Sequence, residues 1–403
     1  MRVTINPSVA VGSVQAPPSK SVSHRALICG ALSSKSTIHN IAYSQDIEAT
    51  LRCLKEMGAT VRKKADSVTI GGLNPFLFHE GEGPVLHCGE SGSTLRFLLP
   101  ICLLADIPVV FVGSPRLIQR PLGVYRDICR QYGLTWMHNE HAIIVRGPLY
   151  ANRFSFSGAF SSQFVSGLMM AMPLLIEESH IEVVPPFESR SYVALTSAVQ
   201  KAFGVTTTLE GMHVNICPGG EYQSTEYWVE GDYSNAAAID AFNLLGGDVK
   251  ILGLSPESVQ GDRVYKDFYQ QLQEGNKEFD LTDCPDLGPV LFALAAVCGG
   301  AKFSGTRRLR LKESDRVAAM ISELEKFGIS ATCDVNSVEI HEGRLQAPTQ
   351  VLCGHNDHRI VMALSLLCSR VGGTIDGADA VKKSYPDYFD VLRTLSIDVQ
   401  MDE

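Results

Sequence analysis

At 403 residues the chain is too long for one compact core and is expected to divide into two domains of similar size. A hydrophobic fraction of 45% with 20% charged residues is that of an ordinary soluble globular protein, and a formal net charge of −9 argues against a dedicated nucleic-acid binder, which carries a basic excess. The acidity still leaves room for a local basic cleft and a small anionic substrate.

Eleven cysteines stand at irregular intervals with no Cys-x-x-Cys pair, so neither a disulfide framework nor a zinc site is expected. Cys29, Cys102, Cys298 and Cys368 lie in apolar runs, where a free thiol packs as a small hydrophobe, and a reducing cytoplasm is the expected compartment. The most apolar window, Leu95 to Val112, is broken by Arg96, Pro100 and Asp106, so no membrane span is expected.

In chain order, Met-Arg-Val-Thr-Ile-Asn has no apolar h-region and reads as a first strand, Val3–Asn6, rather than a signal peptide. A rigid Pro17-Pro18 then leads into Ser-Lys-Ser-Val-Ser-His-Arg and an apolar helix pattern that runs to Leu32. Ser19 can cap this helix, leaving free N–H groups, Lys20 and Arg25 facing one space, which suits a phosphate or carboxylate. A small polar turn and the strand-like Ser-Thr-Ile-His-Asn of 36–40 follow.

The same order recurs from Gly92, Ser161, Ser234, Asp286 and Asp357: an apolar helix reached through Ser, Asp or Gly, a Gly-containing turn, and a short strand. A second, amphipathic helix follows each copy: Ile47–Met57, Tyr125–Tyr132, Val193–Phe203, Val264–Leu272, Val317–Phe327 and Tyr388–Leu395. The fourth copy is the poorest, with Glu274-Gly-Asn in place of a clean strand start. The first helix of each copy is apolar all round and is expected to be buried, the second to be outer. Six βα-type units packed three by three put a boundary near Ser224–Trp228, with the first strand completing the second domain.

Candidate functional residues gather at the buried helix N-termini and the turns beside them. They are Lys20, Ser21 and Arg25; the Gly/Ser-rich turn from Gly89 to Arg96, whose backbone can approach a ligand closely; Gln119-Arg-Pro121; Ser161-Ser-Gln163; Ser189-Arg-Ser-Tyr192; and Pro285-Asp-Leu-Gly288. The densest stretch is Leu-Arg-Leu-Lys-Glu-Ser-Asp-Arg, 309–316; Asn356-Asp-His-Arg359 and Lys382-Lys-Ser-Tyr-Pro-Asp387 complete the set. If helical, Lys312 and Arg316 share a face and Glu313 points elsewhere. Taken alone, that stretch reads as a solvated helix start with internal ion pairs. Together the set offers many cations and hydroxyls, few carboxylates and no metal-ligand cluster, which fits substrates carrying phosphates and carboxylates. There is no Gly-x-Ser-x-Gly, Walker loop or dinucleotide fingerprint after a strand.

Ser-Lys-Ser-x-Ser-x-Arg, Leu-Lys-Glu-Ser-Asp-Arg, Asp-His-Arg and Lys-Ser-Tyr-Pro-Asp, in this order over the whole length, closely resemble the 5-enolpyruvylshikimate-3-phosphate synthase family of enolpyruvyl transferases. The resemblance implies an α/β fold, a two-domain inside-out α/β barrel of six repeated βα units, three per domain. Residues 19–228 would form one domain, 1–18 and 229–403 the other, with the active site in the cleft and closure on binding. It implies shikimate 3-phosphate contacts from Lys20, Ser21, Arg25, Ser161, Ser162, Gln163, Ser189, Tyr192, Asp286 and Lys312. Phosphoenolpyruvate contacts would come from Lys20, Gly92, Arg120, Gln163, Arg316, Arg359 and Lys383. Asp286 is the implied base, Glu313 the acid, with Lys20 assisting; no cofactor or metal is implied, and the partners are the two small substrates, with no nucleic acid or membrane. A monomer is the expected state. Two positions depart from the family pattern: Glu90 and Arg308 stand where Asn is common, so a carboxylate sits beside the phosphoenolpyruvate site and a cation is added near Lys312. The alternatives are a UDP-N-acetylglucosamine enolpyruvyl transferase, which has Lys-Asn where this chain has Lys20-Ser21, and a non-catalytic phosphometabolite binder, which has no need of Asp286 and Glu313.

Overall fold

The computed structural model describes residues 1–76 and 83–402. The chain folds into two compact units, one of Pro18–Glu230 and one of Met1–Pro17 with Gly231–Glu403. Each has its own apolar core. Among the described residues there are six sheets, three in each unit.

Five of the sheets share one strand-pairing pattern. In the sheet nearest the start of the first unit, Glu226–Trp228 runs parallel to Ser36–His39, which pairs antiparallel with Ser67–Gly71, which pairs antiparallel with Thr60–Lys63. Arg2–Ile5 takes the third place in the last sheet, antiparallel to both Gly373–Asp376 and Val399–Asp402. The sequence pattern foresaw a single strand after each amphipathic helix, whereas four copies have an antiparallel hairpin there, and in the last Arg2–Ile5 supplies the second strand. One strand of each hairpin is short and exposed, as in the Thr-Val-Arg-Lys of 60–63, so it lacks the apolar alternation that marks a half-buried strand.

The helices start where local chemistry dictates. Ser19, Ser44, Ser91 and Ser161 each accept a backbone N–H of the first turn, as do Asp232, Asp315 and Asp357. The helix reached at Ser234 is therefore capped two residues earlier, by Asp232. The helix at Gly288–Val297 has no side-chain cap, because its N-cap position is Leu287, whose side chain carries no acceptor. Gly58 and Gly328 close their helices at φ of +105° and +78°, a conformation that a Cβ disfavours. The first helix of each copy is buried nearly all round, as in Lys20–Leu32 and Gly288–Val297, while Arg190–Ala202 buries one face.

The fourth copy departs from the others, and a side chain compensates. Its sheet has only two strands, Val11–Gln15 and Asp248–Leu252, paired in parallel. On Val249 the Asn243 amide acts in place of the missing neighbour: Val249 N–H donates to Asn243 Oδ1 at 2.7 Å, and Asn243 Nδ2 donates to Val249 O at 2.9 Å. The same Nδ2 also reaches Asp240 Oδ1 at 2.7 Å. An open edge is thereby blunted at its buried residue. Asn243→Ala is expected to cost about 1–3 kcal/mol in a urea titration, since two backbone groups lose their partners. A change below about 0.5 kcal/mol, the range of ordinary surface substitutions, would assign the edge's protection to something else.

Candidate active site

In Pro18–Glu230, the cap at Ser19 sets Lys20 on the first turn of the helix Lys20–Leu32. Lys20 Nζ donates to Asp46 Oδ2 at 2.8 Å, with both side chains largely buried. Asp46 lies in the first turn of Gln45–Glu56 and was not singled out by the sequence. An acid at that place is indistinguishable in sequence from one that merely offsets the helix dipole.

Arg25 is buried and donates four of its five N–H groups inside the unit. Nε reaches Thr196 Oγ1 at 2.7 Å, Nη1 reaches Ser21 O at 2.7 Å, and Nη2 reaches Ser166 Oγ and Tyr192 O. Its guanidinium stacks 4.9 Å from the Phe97 ring. Burial lowers its pKa to about 10, so it stays cationic at neutral pH. Arg25 thus ties three helices together. Ser162 is buried at the next helix start, and Ser189 is held at φ +56° before Arg190–Ala202, a strained conformation of the kind that collects at functional sites.

Gln163, placed by its capping bond from Gln163 N to Ser161 Oγ, is fixed at both ends of its amide. Arg96 Nη1 donates to its Oε1 at 2.7 Å, and its Nε2 donates to Ser93 Oγ at 2.9 Å. Gly92 lets two guanidiniums approach closely: a Cβ there would lie 2.8 Å from Arg120 Nη1 and 3.2 Å from Arg96 Nη1. Arg120 is 8% exposed, and its buried Nε has no hydrogen-bond partner among the described residues. Glu90 sits half-buried in the turn just ahead of Ser91.

The second cluster lies in the other unit and centres on Arg316, which is 1% exposed. Its Nε and Nη2 take Asp357 at 2.9 and 3.3 Å, its Nη1 takes Asp286 Oδ1 at 2.8 Å, and its Nη2 also takes Glu313 Oε2 at 2.9 Å. Lys312 Nζ reaches the same Asp286 Oδ1 at 3.0 Å. The helical-face expectation for Lys312 is corrected here. Lys312 is extended, at φ −86° and ψ −160°, and the helix begins only at Arg316. Lys312 and Arg316 meet on Asp286 by tertiary packing, and Glu313 turns back onto Arg316 instead of pointing away. Asp357, fully buried, also accepts from Ser314 Oγ at 3.0 Å and caps its own helix through Arg359 N.

Burial alone would raise the Asp286 pKa, but Lys312, Arg316 and Arg359 together override it and hold the carboxyl well below the usual range. Burial lowers the Lys312 pKa, with Asp286 opposing. Arg359, 6% exposed, donates Nη1 to Asn235 Oδ1 at 3.1 Å, and its buried Nε has no partner among the described residues. Lys383 Nζ donates to Asn356 O at 2.6 Å. Arg308 is buried near Lys312 and helps to lower its pKa.

Asp262, which belongs to none of the sequence motifs, is buried and accepts from Ser234 Oγ. Burial, with Asp286 beside it, raises its pKa to about 7. A folded pKa above the unfolded value near 3.8 means that the folded state binds the proton more tightly. Stability is therefore lost as pH rises from about 4 through about 7. Asp262→Asn is expected to be relatively more stable than the parent at about pH 8 than at about pH 5, by on the order of 2–4 kcal/mol in urea titrations. Equal differences at both pH values would refute the raised pKa.

Among the described residues no group of His, Cys, Asp and Glu is arranged to hold a metal ion, and no helix is long and apolar enough to cross a membrane.

Comparison with known proteins gives a consistent picture. The family model of EPSP synthase (3-phosphoshikimate 1-carboxyvinyltransferase) matches residues 6–392. The 3-phosphoshikimate 1-carboxyvinyltransferase of Clostridium kluyveri is 37% identical over 416 aligned residues, covering 98% of this chain and 97% of the relative. That of Clostridium acetobutylicum is 36% identical over 424, covering 98% of each. Among solved structures, EPSP synthase from Acinetobacter baumannii superimposes with a TM-score of 0.78 at 20% identity over 100% of both chains. The enolpyruvyl transferase NikO from Streptomyces tendae gives 0.77 at 13% identity, covering 99% of this chain and 98% of its own. These two share the fold.

Proposed function

The chain belongs to the EPSP synthase family, the 3-phosphoshikimate 1-carboxyvinyltransferases, and from that membership we propose how its own residues carry the reaction. It transfers the enolpyruvyl group of phosphoenolpyruvate to the 5-hydroxyl of shikimate 3-phosphate and releases inorganic phosphate, a step of aromatic amino-acid biosynthesis through the shikimate pathway. We read the two compact units as the two domains of an inside-out α/β barrel, three βα units in each. The reading is supported by three sheets per unit and by one strand-pairing pattern in five of the six. Eleven free cysteines fit a reducing cytoplasm.

Shikimate 3-phosphate is read as the ligand of Lys20, Ser21, Arg25, Ser161, Ser162, Gln163, Ser189, Tyr192, Asp286 and Lys312. Phosphoenolpyruvate is read as the ligand of Lys20, Gly92, Arg120, Gln163, Arg316, Arg359 and Lys383. The observation that carries this reading is the pair of buried guanidiniums, Arg120 and Arg359, each with an Nε–H that finds no partner among the described residues. An unmet donor on a buried cation is costly, and an anionic ligand removes that cost with a charge-assisted hydrogen bond.

In the proposed mechanism the 5-hydroxyl oxygen bonds to C2 of phosphoenolpyruvate while C3 gains a proton. The tetrahedral adduct then loses the C3 proton and the C2–O bond to phosphate, which departs as inorganic phosphate. Asp286 takes the hydroxyl proton. Its cations keep it ionised and weakly basic, and a substrate phosphate that draws Lys312 away strengthens it as a base. Glu313 protonates C3, with Lys20 assisting. Arg316 keeps one N–H for phosphoenolpyruvate and mainly holds the two catalytic carboxylates in place. The remaining cations stabilise charge on the departing phosphate.

The test is phosphate release from purified protein given both substrates, with each alone as control. Release that requires both is the expected result; none from folded protein, or release with UDP-N-acetylglucosamine in place of shikimate 3-phosphate, would overturn it. A second result is expected at the turn: Gly92→Ala pushes the Arg120 guanidinium aside, a flexible end that can move. The KM for phosphoenolpyruvate is then expected to rise about 10-fold, worth about 1.4 kcal/mol, with folding stability nearly unchanged. An unchanged KM would remove Arg120 from the phosphoenolpyruvate site.

A further inference from the structure

The loop that leads into the helix His358–Val371 holds two consecutive non-glycine residues in the left-handed region, His355 at φ +49° and Asn356 at φ +52°. Such strain persists only where the surroundings over-determine it. Both residues flanking the helix start are tied to groups assigned above: the Asn356 carbonyl accepts from Lys383 Nζ at 2.6 Å, and Asp357 holds Arg316.

The loop is pinned to one helix, Arg316–Lys326, at two points. At the helix start Arg316 grips Asp357. Two turns later Glu323, 1% exposed, receives His355 Nε2 at 2.8 Å. Glu323 is itself fixed by Lys326 Nζ at 2.8 and 2.9 Å and by Cys353 N at 3.0 Å. Burial alone would raise its pKa, but His355, Lys326 and Cys353 N–H together hold it below the usual range, so it is an acceptor only and the hydrogen lies on His355 Nε2. Nothing in the transfer chemistry uses His355 or Glu323.

We propose that His355, anchored on Glu323, is a positioning residue that sets the strained backbone of 355 and 356 so that the Asn356 carbonyl aims Lys383 at phosphoenolpyruvate, while Asp357 on Arg316 fixes the far end of the loop. The inference rests on the assignment of Lys383 to that substrate. Loss of the anchor lets the loop relax from its left-handed conformation and displaces the Lys383 acceptor, while the shikimate 3-phosphate contacts are made by other elements.

His355→Ala and His355→Gln share the same backbone strain, but only Gln can return a side-chain N–H to Glu323, so the pair separates the anchor from the conformation. His355→Ala is expected to raise the KM for phosphoenolpyruvate about 10-fold, with the KM for shikimate 3-phosphate within about 2-fold and kcat within about 3-fold, and His355→Gln to recover most of the loss. Lys383→Ala is the reference arm. If it raises the phosphoenolpyruvate KM and His355→Ala does not, the positioning role is refuted; if Lys383→Ala leaves that KM unchanged, it is the substrate assignment that fails. A rise in both KM values together, or no recovery in Gln, would reduce His355 to a general structural role and overturn the proposal. Should His355→Ala not fold, Glu323→Gln carries the same test, with a smaller rise in the phosphoenolpyruvate KM expected and an unchanged KM overturning it.

Discussion

Replacing Arg316 by Met is expected to destabilise the protein by about 3–5 kcal/mol and to bring phosphate release to background. The side chain is 1% exposed and holds three carboxylates, of which Asp357 is fully buried. Removing the cation leaves these charges to repel one another in a place that water reaches poorly, and breaking a buried pair from one side is the costly way to lose it. Against a typical folding free energy of about 5–15 kcal/mol, the loss is large and is read directly as a fall in the urea midpoint. Arg316→Lys is expected to recover only part of it, because an ammonium cannot span Asp357 on one edge and Asp286 with Glu313 on the other. A midpoint within about 0.5 kcal/mol of the parent in Arg316→Met would show that the carboxylates are held apart by other means.

Glu313→Gln is expected to act on the reaction and not on the fold. The Gln carbonyl can still accept from Arg316 Nη2, so the geometry survives, but the amide cannot deliver a proton to C3. A positioned acid contributes about 10²–10⁴-fold, and kcat measured by phosphate release at saturating substrates should fall by that amount with little change in the urea midpoint. A fall below about 10-fold would move the acid role elsewhere. Lys20 is the next candidate, since its bond to Asp46 fixes it on the first turn of its helix.

The two variants differ in a way that the sequence did not anticipate. Leu309–Arg316 reads as a helix start with internal ion pairs, in which Glu313 is a bystander. In the folded protein Glu313 and Asp286, 27 positions apart, share one guanidinium. Arg316 is then less a free substrate ligand than the cation that holds both carboxylates proposed as base and acid.

What the sequence determined by itself is what near neighbours decide. The apolar runs and the Ser and Asp caps set the buried helices, and those helix starts bring Lys20, Ser161 and Arg359 to the ends where backbone N–H groups are unpaired. The motif order carried the reaction class, and the irregular Glu274-Gly-Asn marked the copy whose sheet is reduced to two strands. Only the tertiary structure decided the partners: Asp46 for Lys20, Asp357 for Arg316, Asn235 for Arg359, Glu323 for His355, and Asn243 for the open edge at Val249. The first four pairs join residues 26, 41, 124 and 32 positions apart. An acid in a helix's first turn or an Asn on its surface has the same local signature whether it faces water or a buried cation, because helix and strand periodicity fixes only which face a residue occupies. Which charge or backbone group that face meets is set by packing between elements far apart in the chain, and there the pKa values and the strain arise.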